Sequence, residues 1–265
     1  MGRGSGALFL ASLLVGGSAL AACLLPTFSD VLPSTTAPLP DSGDEASDGG
    51  GDGGLTGCED TLGAFAIWPM TEGSGTVVHD CSGNFPGTMS GSVAWSAGRN
   101  GQQALDLSGG FVTLVDAPAL RITGPFTVVT WVSASNQQVD SFGDIIARYA
   151  SISTAAWDVT VTKDPLVSLT LFSGGNIVQA SGPITYGVFR HVAATYAATT
   201  GDGEMFVDGK STGTNKANAA LPAIPTPMTF GANSVGTSIY FGKIAGIRIY
   251  NRVLTPAEIL GLSKL

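Results

Sequence analysis

The amino-acid sequence predicts an all-β domain in which two antiparallel sheets pack against each other as a sandwich. Runs of β-branched and aromatic residues recur along most of the chain, and Gly, Pro, Asn and Ser separate them at short intervals. Charged residues are only 12% of the 265 residues, about half the share that is usual in soluble domains. That composition excludes a coiled coil, and no helical periods alternate with the strand-like runs. The sequence therefore predicts that about a dozen strands form a two-sheet β-sandwich.

Three segments show the strand pattern most clearly. Residues 157–162 alternate apolar and polar side chains, which is typical of a strand with one buried face. Val167, Leu169 and Leu171 repeat the alternation beyond a short turn. Residues 126–132 are apolar on both faces, which predicts a central strand between two layers.

One hairpin turn and one short C-terminal helix complete the predicted elements. Asp208 and Gly209 favour a hairpin turn because both residue types accept positive φ. Thr255 is placed as an N-cap, with Pro256 at the first helical position and Glu258 two residues further on, which together form a capping box. The helix is therefore expected to begin at Pro256 and to pack one apolar face on the sandwich.

Residues 1–22 have the features of an export signal. Arg3 supplies a small positive charge, and residues 7–20 form an apolar run of fourteen residues, which is too short to cross a bilayer as a helix. No later segment has the roughly 18 consecutive apolar residues that a membrane helix needs. Residues 1–22 are therefore predicted to be a signal peptide.

The end of this signal carries a more specific pattern. Leu20-Ala21-Ala22-Cys23 resembles the lipobox of bacterial lipoproteins, in which the Cys becomes the lipidated first residue of the mature chain. An ordinary secretory signal followed by an unrelated Cys is the alternative. Leu24 follows where Asp would retain the protein at the inner membrane, so the resemblance implies an outer-membrane location. The expected site is the bacterial cell envelope, facing the periplasm or the exterior, with lipid on Cys23 as the only membrane anchor.

Residues 23–57 are predicted to be a disordered acidic tether. Residues 41–54 read DSGDEASDGGGDGG, and the whole segment has six acidic residues and no Lys or Arg. Low hydrophobicity and charge of one sign prevent collapse, although weak Ca²⁺ binding by the acidic run is an alternative role. The chain carries a net charge of −8 without clustered Lys or Arg, which excludes a nucleic-acid partner.

A series of short motifs follows in a specific order through residues 58–265, at residues 68–70, 72–76, 80–83, 101–107, 111–114, 126–132, 189–196, 207–209 and 246–252. Taken in this order, the motifs resemble those of LamG-like jelly-roll domains, which belong to the concanavalin A-like lectin/glucanase superfamily. Phe189 and Ala197 depart from the Trp and Asp that the family usually has there. The resemblance implies a two-sheet, concanavalin A-like jelly roll, and it covers lectins, carbohydrate-binding modules, adhesion domains and a few enzymes. Fold alone therefore leaves the function open.

Two cysteines remain in the predicted domain. Cys58 and Cys81 in an exported chain suggest one disulfide that ties the start of the domain to the turn after its first strands. Two free thiols are the alternative, because the sequence does not show that the Cα atoms approach each other.

A cation site is the sharpest chemical prediction. Some relatives bind Ca²⁺ at the rim of the sandwich, and Asp80 and Asn84 on the loop DCSGN are two candidate ligands for a structural Ca²⁺ ion. In the alternative, Asp80 and Ser82 only fix the turn through side-chain to backbone hydrogen bonds. No other cofactor is required by any motif in the chain.

No catalytic set emerges from the sequence. His79 lacks a nucleophile beside it, and His191 is expected to be packed with a satisfied hydrogen bond. Glycoside hydrolysis needs two carboxyl groups that face one bond, and the sequence does not assemble such a pair.

Sugar binding needs exposed aromatic side chains beside polar groups. Trp68, Trp95, Trp131 and Trp157 are expected to be structural. That leaves four aromatic residues as candidate platforms, namely Phe142, Tyr149, Tyr186 and Tyr240.

The leading hypothesis is a lipid-anchored envelope protein whose domain binds a glycan or an envelope or extracellular protein without catalysis. A glycoside-processing enzyme and a purely structural envelope protein are the alternatives, and the ligand-binding residues are not identified.

Overall fold

The strand-rich sequence folds into two antiparallel eight-stranded sheets that face each other. A computed structural model describes residues 56–138 and 140–265. The strands are β1 (Ala66–Trp68), β2 (Val77–Val78), β3 (Gly87–Gly91), β4 (Ala94–Ala97), β5 (Gln103–Asp106), β6 (Gly110–Leu114), β7 (Phe126–Ala134), β8 (Phe142–Ser151), β9 (Thr154–Thr162), β10 (Leu166–Ser173), β11 (Asn176–Pro183), β12 (Arg190–Ala197), β13 (Asp202–Val207), β14 (Lys210–Lys216), β15 (Thr229–Phe230) and β16 (Gly242–Tyr250). Short 3-10 turns lie at Arg99–Gly101 and Pro118–Leu120.

In each sheet, some neighbouring strands are consecutive in the sequence and others come from distant parts of the chain. The first sheet runs β14-β13-β12-β7-β16-β5-β4, and β1 also pairs with β16. The second sheet runs β11-β10-β9-β8-β15-β6-β3-β2. Strands β8 to β11 are consecutive hairpins, so one half of the second sheet is built from a single stretch of chain. The all-β sandwich predicted from the sequence is confirmed.

The core lies between the two sheets and is rich in aromatic side chains. Trp68 and Phe230 meet edge to face with ring centroids 5.2 Å apart. Phe126 packs on Trp157 with centroids 4.8 Å apart. All four side chains are fully buried. Such pairs contribute beyond the burial of their apolar area.

The predicted central strand and hairpin are both confirmed. Strand β7, which contains residues 126–132, lies between β12 and β16 in the first sheet. Asp208 and Gly209 connect β13 to β14 with φ of 50° and 76°, the left-handed region that a two-residue hairpin requires.

The single α-helix of the described residues, α1 (Pro256–Leu262), begins where its capping signals predict. The Thr255 hydroxyl accepts a hydrogen bond from the Glu258 backbone N–H, and the Glu258 carboxylate accepts one from the Thr255 backbone N–H. Ile259 of this helix is fully buried with Phe206 on the outer face of the first sheet. Among the described residues, no helix is both long enough and apolar enough to cross a membrane.

Three expectations about individual side chains are wrong. Trp131 lies on the outer face of the first sheet and is only half-buried, whereas a core position was expected. Tyr240, expected as an exposed platform, is fully buried. His191 is buried as expected, but neither ring nitrogen has a hydrogen-bond partner among the described residues.

Candidate functional site

The outer face of strands β8 to β11 carries a row of small polar side chains. The alternation on β9 and β10 turns Val159 and Leu169 into the core and leaves Asp158, Thr160 and Thr170 on the opposite face. These three residues have 3% of their surface exposed because the surrounding side chains rise above them. The period-two pattern therefore supplies both the core and a polar floor.

The polar floor is held flat by cross-strand hydrogen bonds. Ser168 on β10 and Ser181 on β11 are directly opposite, with hydroxyl oxygens 2.8 Å apart. Gln179 Nε2 donates to Thr170 Oγ1 at 3.2 Å. Side-chain pairs of this kind stabilise neighbouring strands and fix the direction of each polar group.

Apolar side chains border this floor and turn it into a groove of about 170 Å³. Tyr149 and Phe172 form one wall, with ring centroids 5.2 Å apart and ring planes inclined at 35°. Ile177 extends that wall with 48% of its surface exposed. Phe142, 40% exposed, lies at the opposite end beside Thr162. We call the groove and these walls the β8–β11 groove.

Two carboxyl groups lie on this face. Asp158 lines the groove, and Asp144 on β8 is a diagonal neighbour, because Asp144 pairs with Thr160 while Asp158 pairs with Ala147. The Cα atoms of such diagonal neighbours are about 7–8 Å apart. Both carboxyl oxygens of Asp144 and one of Asp158 are buried without a hydrogen-bond partner among the described residues.

The surroundings of this pair favour the protonated state. Burial raises the pKa of Asp144 well above its usual range, and the charge of Asp158 raises it further. Burial also raises the pKa of Asp158, although a hydrogen bond from Thr170 opposes the shift. The same two charges add to burial in raising the pKa of Tyr149. Strongly shifted carboxyl groups in a groove are typical of functional sites.

The candidate platforms named by the sequence divide into three cases. Phe142 and Tyr149 lie in the β8–β11 groove. Tyr186 lies elsewhere, where its hydroxyl donates to the carbonyl oxygens of Thr162 and Lys163. Tyr240 is in the core.

The sequence did not identify two residues that line the groove, Phe172 and Asp158, or the buried Asp144 beside them. The alternation of residues 157–162 was a usable signal for Asp158, since it places that carboxyl opposite the core. No comparable signal marks Asp144, because a register irregularity separates it from Ile146 in the pairing with β9.

The predicted calcium ligands lie on the loop after β2. Asp80 is buried, and its carboxylate accepts hydrogen bonds from the backbone N–H groups of Ser82 and Phe85 at 3.0 and 2.6 Å. The exposed Asn84 side chain donates to the Ser82 hydroxyl at 3.1 Å. These contacts are those of the turn-fixing alternative. Among the described residues, no cluster of three or more His, Cys, Asp or Glu side chains is placed to hold a metal ion, and the Ca²⁺ site stays a prediction.

Cys58 and Cys81 are joined by a disulfide. Their Cα atoms are 5.7 Å apart, and their positions differ by 23 in the sequence. The bond ties the beginning of the described chain to the loop that carries Asp80. The predicted signal peptide, Cys23 and nearly all of the predicted tether lie outside the described residues.

Comparison with known proteins identifies the family. Residues 106–260 match Laminin_G_3, described as Concanavalin A-like lectin/glucanases superfamily. The match covers more than half of the chain, so the chain belongs to this family. No curated protein matches the sequence.

Solved structures with a similar fold are binding domains of larger proteins. The receptor-binding domain of botulinum neurotoxin type G has a TM-score of 0.57 and 16% identity, over 76% of this chain and 51% of that one. The binding domain of botulinum neurotoxin DC in complex with rat synaptotagmin II has a TM-score of 0.59 and 17% identity, with the same shares covered. That domain in complex with SialylT has a TM-score of 0.58 and 16% identity, over 75% and 50%. This chain thus spans about half the length of these relatives, and at such identities the likeness shows the fold alone.

Proposed function

We propose that the domain binds a glycan in the β8–β11 groove and does so without changing it. The observation that carries the proposal is a floor of fixed hydroxyl, amide and carboxyl groups between apolar walls. Pyranose rings have apolar faces that pack on aromatic side chains and hydroxyl groups that need hydrogen-bond partners. Tyr149, Phe172 and Phe142 supply the first kind of contact, and the exposed amide of Gln179 supplies the second.

The fold comparisons agree with a binding role. Structures of similar fold are named as binding domains, one in complex with rat synaptotagmin II and one with SialylT. These titles say what the relatives bind. For this chain, a glycan and a protein both remain candidate partners. The polar floor and aromatic walls of the β8–β11 groove favour the glycan for this chain.

A glycan array probed with the purified full-length protein tests the proposal. We expect binding to one defined sugar class, weakened about tenfold or more by Phe172→Ala or Tyr149→Ala through loss of the stacking wall. Val115→Ala is the matched control, since Val115 is an exposed apolar residue, 57% accessible, outside the groove. An array without signal would contradict glycan binding and direct the search to a protein partner. Undiminished binding by both groove variants would show that the sugar binds elsewhere.

The same array, repeated with Ca²⁺ and with a chelator, tests the calcium prediction. Binding that requires Ca²⁺ and is lost in Asp80→Asn would support Asp80 and Asn84 as ligands. Binding and melting temperature that are indifferent to the chelator would leave the loop with a purely structural role.

We further propose that the protein is a lipoprotein of the bacterial outer membrane. The proposal is supported by the LAAC pattern at residues 20–23, the acidic segment that follows it and the absence of any later apolar run of membrane-spanning length. Cys23→Ser should release the protein from the membrane fraction. Continued membrane association of that variant would refute lipid anchoring at Cys23.

Glycoside processing is the second candidate, and Asp158 favours it. This residue lines the groove, and burial raises the pKa of its carboxyl group, as a general acid requires. If the groove cleaves the glycan that it binds, new reducing ends should accumulate and Asp158→Asn should abolish them while binding persists. Intact glycan after prolonged incubation with the wild-type protein would exclude this activity for that ligand.

A further inference from the structure

The β8–β11 groove continues beyond the ends of its strands. A neighbouring cavity of about 520 Å³ lies over the β8–β9 and β10–β11 turns and shares Ile152, Phe172 and Ile177 with the groove. It reaches Ala220 and Pro222 in the loop between β14 and β15. Together the groove and this cavity form one depression along the strand direction, from the start of β8 to the β10–β11 turn. We call it the extended groove.

The aromatic contact points of the extended groove are far apart along the strands. Phe142 pairs with Thr162 at one end of β9. Phe172 lies one position past the partner of Trp157, so it is level with position 156, six positions from that end. At about 3.3 Å per residue these six positions span about 20 Å. A single pyranose ring is far shorter than this distance, so one sugar unit cannot contact both aromatic positions.

Exposed polar groups recur along the same direction. Gln179 lies between the two aromatic positions, and its amide donates one hydrogen bond to Thr170 at 3.2 Å. The amide oxygen and the second N–H group of Gln179 make no hydrogen bond to the described residues, so both are available to a ligand. Asn176 and Ser153 add exposed polar side chains in the neighbouring cavity. Polar contacts at several positions suit a ligand whose hydroxyl groups repeat along its length.

The lining of the extended groove offers no partner for a charged ligand. Among the described residues that line it there is no Lys, Arg or His, and the single carboxyl group, that of Asp158, is buried. A carboxylate or sulfate group of an acidic glycan would lose its hydration here without gaining a cationic partner, which is costly. An uncharged glycan does not meet this cost.

We propose that the extended groove binds an internal stretch of a linear, uncharged polysaccharide and not a single terminal sugar. The inference rests on the proposed glycan binding in the β8–β11 groove and names the class of glycan. Phe142 and the wall formed by Tyr149 and Phe172 contact sugar rings that are several units apart, and Gln179 binds hydroxyl groups between them. Phe142 and Pro222 are exposed at the two ends, so the chain continues past the protein in both directions.

Binding of oligosaccharides of increasing length to the full-length protein in detergent, followed by saturation-transfer NMR and calorimetry, tests the inference. The neutral probes are β-1,4-linked oligomers of glucose, mannose and xylose and β-1,3-linked oligomers of glucose, from the disaccharide to the hexasaccharide. Oligogalacturonates of the same lengths are the acidic probes. We expect the affinity for at least one neutral series to rise about tenfold or more with length, because only the longer chain reaches both aromatic positions. The oligogalacturonates should bind about tenfold more weakly or less.

Phe142→Ala separates the binding of a chain from the binding of a short sugar. Phe142 is exposed at the end of the groove, so its removal leaves the core intact. The affinity for the hexasaccharide should fall about tenfold, while that for the disaccharide, which binds at the Tyr149–Phe172 wall, stays unchanged. Phe172→Ala should weaken the binding of both lengths. Val115→Ala, an exposed apolar residue outside both cavities, is the control that should change neither.

Each outcome decides for or against the linear, uncharged chain. Equal affinities for the disaccharide and the hexasaccharide, tighter binding of the oligogalacturonates, or no binding by any neutral series would overturn the inference. Wild-type affinity of Phe142→Ala for the hexasaccharide would do the same. The proposed function survives these results if the glycan array yields a sugar whose binding Phe172→Ala weakens. Both fail together only if the array yields no sugar.

Discussion

Replacing Asp144 with Asn should stabilise the protein more and more as the pH rises from 5 to 8. Asp144 has none of its surface exposed, and neither carboxyl oxygen has a partner among the described residues. A charge is costly in such surroundings, so burial and the neighbouring charge of Asp158 raise the pKa of Asp144 far above its usual range. The folded protein therefore keeps this proton at pH values at which the unfolded chain has lost it.

The direction and size of the effect follow from proton linkage. An Asp in an unfolded chain has a pKa of about 3.9, so the stability associated with protonated Asp144 is fully present below that pH and is lost as the pH rises toward the raised folded pKa. While only the folded state holds the proton, each pH unit lowers the free energy of unfolding by about 1.4 kcal/mol. The upper limit between pH 5 and 8 is about 4 kcal/mol. We expect Asp144→Asn to recover roughly 2–4 kcal/mol of it, or about 5–10 °C in melting temperature for a domain of this size.

Thermal melts of both proteins at pH 5, 6, 7 and 8 measure this difference. Asn has a cost of its own, about 1–3 kcal/mol for a buried amide without partners, but that cost does not change with pH. Asp116→Asn is the control: Arg121 lowers the pKa of Asp116, so this carboxyl is ionised throughout the range in both states and its variant should show a constant offset. An equal offset for Asp144→Asn at every pH would refute the burial of an uncharged Asp144.

Three further predictions concern the disulfide, the helix cap and one close approach between strands. Cys58→Ala with Cys81→Ala, or reduction of the wild type, should lower the free energy of unfolding in urea by about 3 kcal/mol, and an unchanged midpoint would show that the bond does not constrain the unfolded chain. Thr255→Ala should cost about 1 kcal/mol in the same assay because the helix loses its capping hydroxyl, whereas Thr255→Ser should retain most of the stability. Gly182→Ala would place a new Cβ in steric overlap with the Thr212 side chain and should destabilise the sandwich by about 1–3 kcal/mol. Thr212→Ala in the same chain should restore part of that loss, and two losses that simply add would contradict the predicted clash.

The β8–β11 groove was only partly predictable from the sequence. Period-two alternation on β9 separates Trp157 from Asp158, so the polar face is visible in a single strand. The sequence predicts Phe142 and Tyr149 as platforms because they are aromatic residues outside the clearest core patterns. Their placement beside Phe172 depends on the pairing of β8 with β9 and of β9 with β10, which the sequence does not specify.

The burial of Tyr240 and the exposure of Trp131 were predicted wrongly because both depend on contacts between residues that are distant in the sequence. Tyr240 follows no strand pattern, yet it is fully buried, with its backbone N–H bonded to the Gly231 carbonyl. Trp131 lies within an apolar strand, but its side chain points to the outer face, where Arg99 covers it. In both cases distant residues decide the exposure, and patterns of neighbouring residues along the chain carry no information about them.

The sequence by itself determined the features that depend on neighbours along the chain. Alternating residues set the strand faces, Asp208 and Gly209 set a hairpin, and Thr255 with Glu258 set the start of the helix. Only the tertiary structure decided which side chains share a surface: Asp144 with Asp158 across two strands, and Arg99 with Trp131 on the outer face of the first sheet. The physical reason is that contact and burial depend on everything that packs around a side chain. The register irregularity between β8 and β9 places Asp144 diagonal to Asp158, and Arg99 reaches Trp131 from a turn that is distant in sequence.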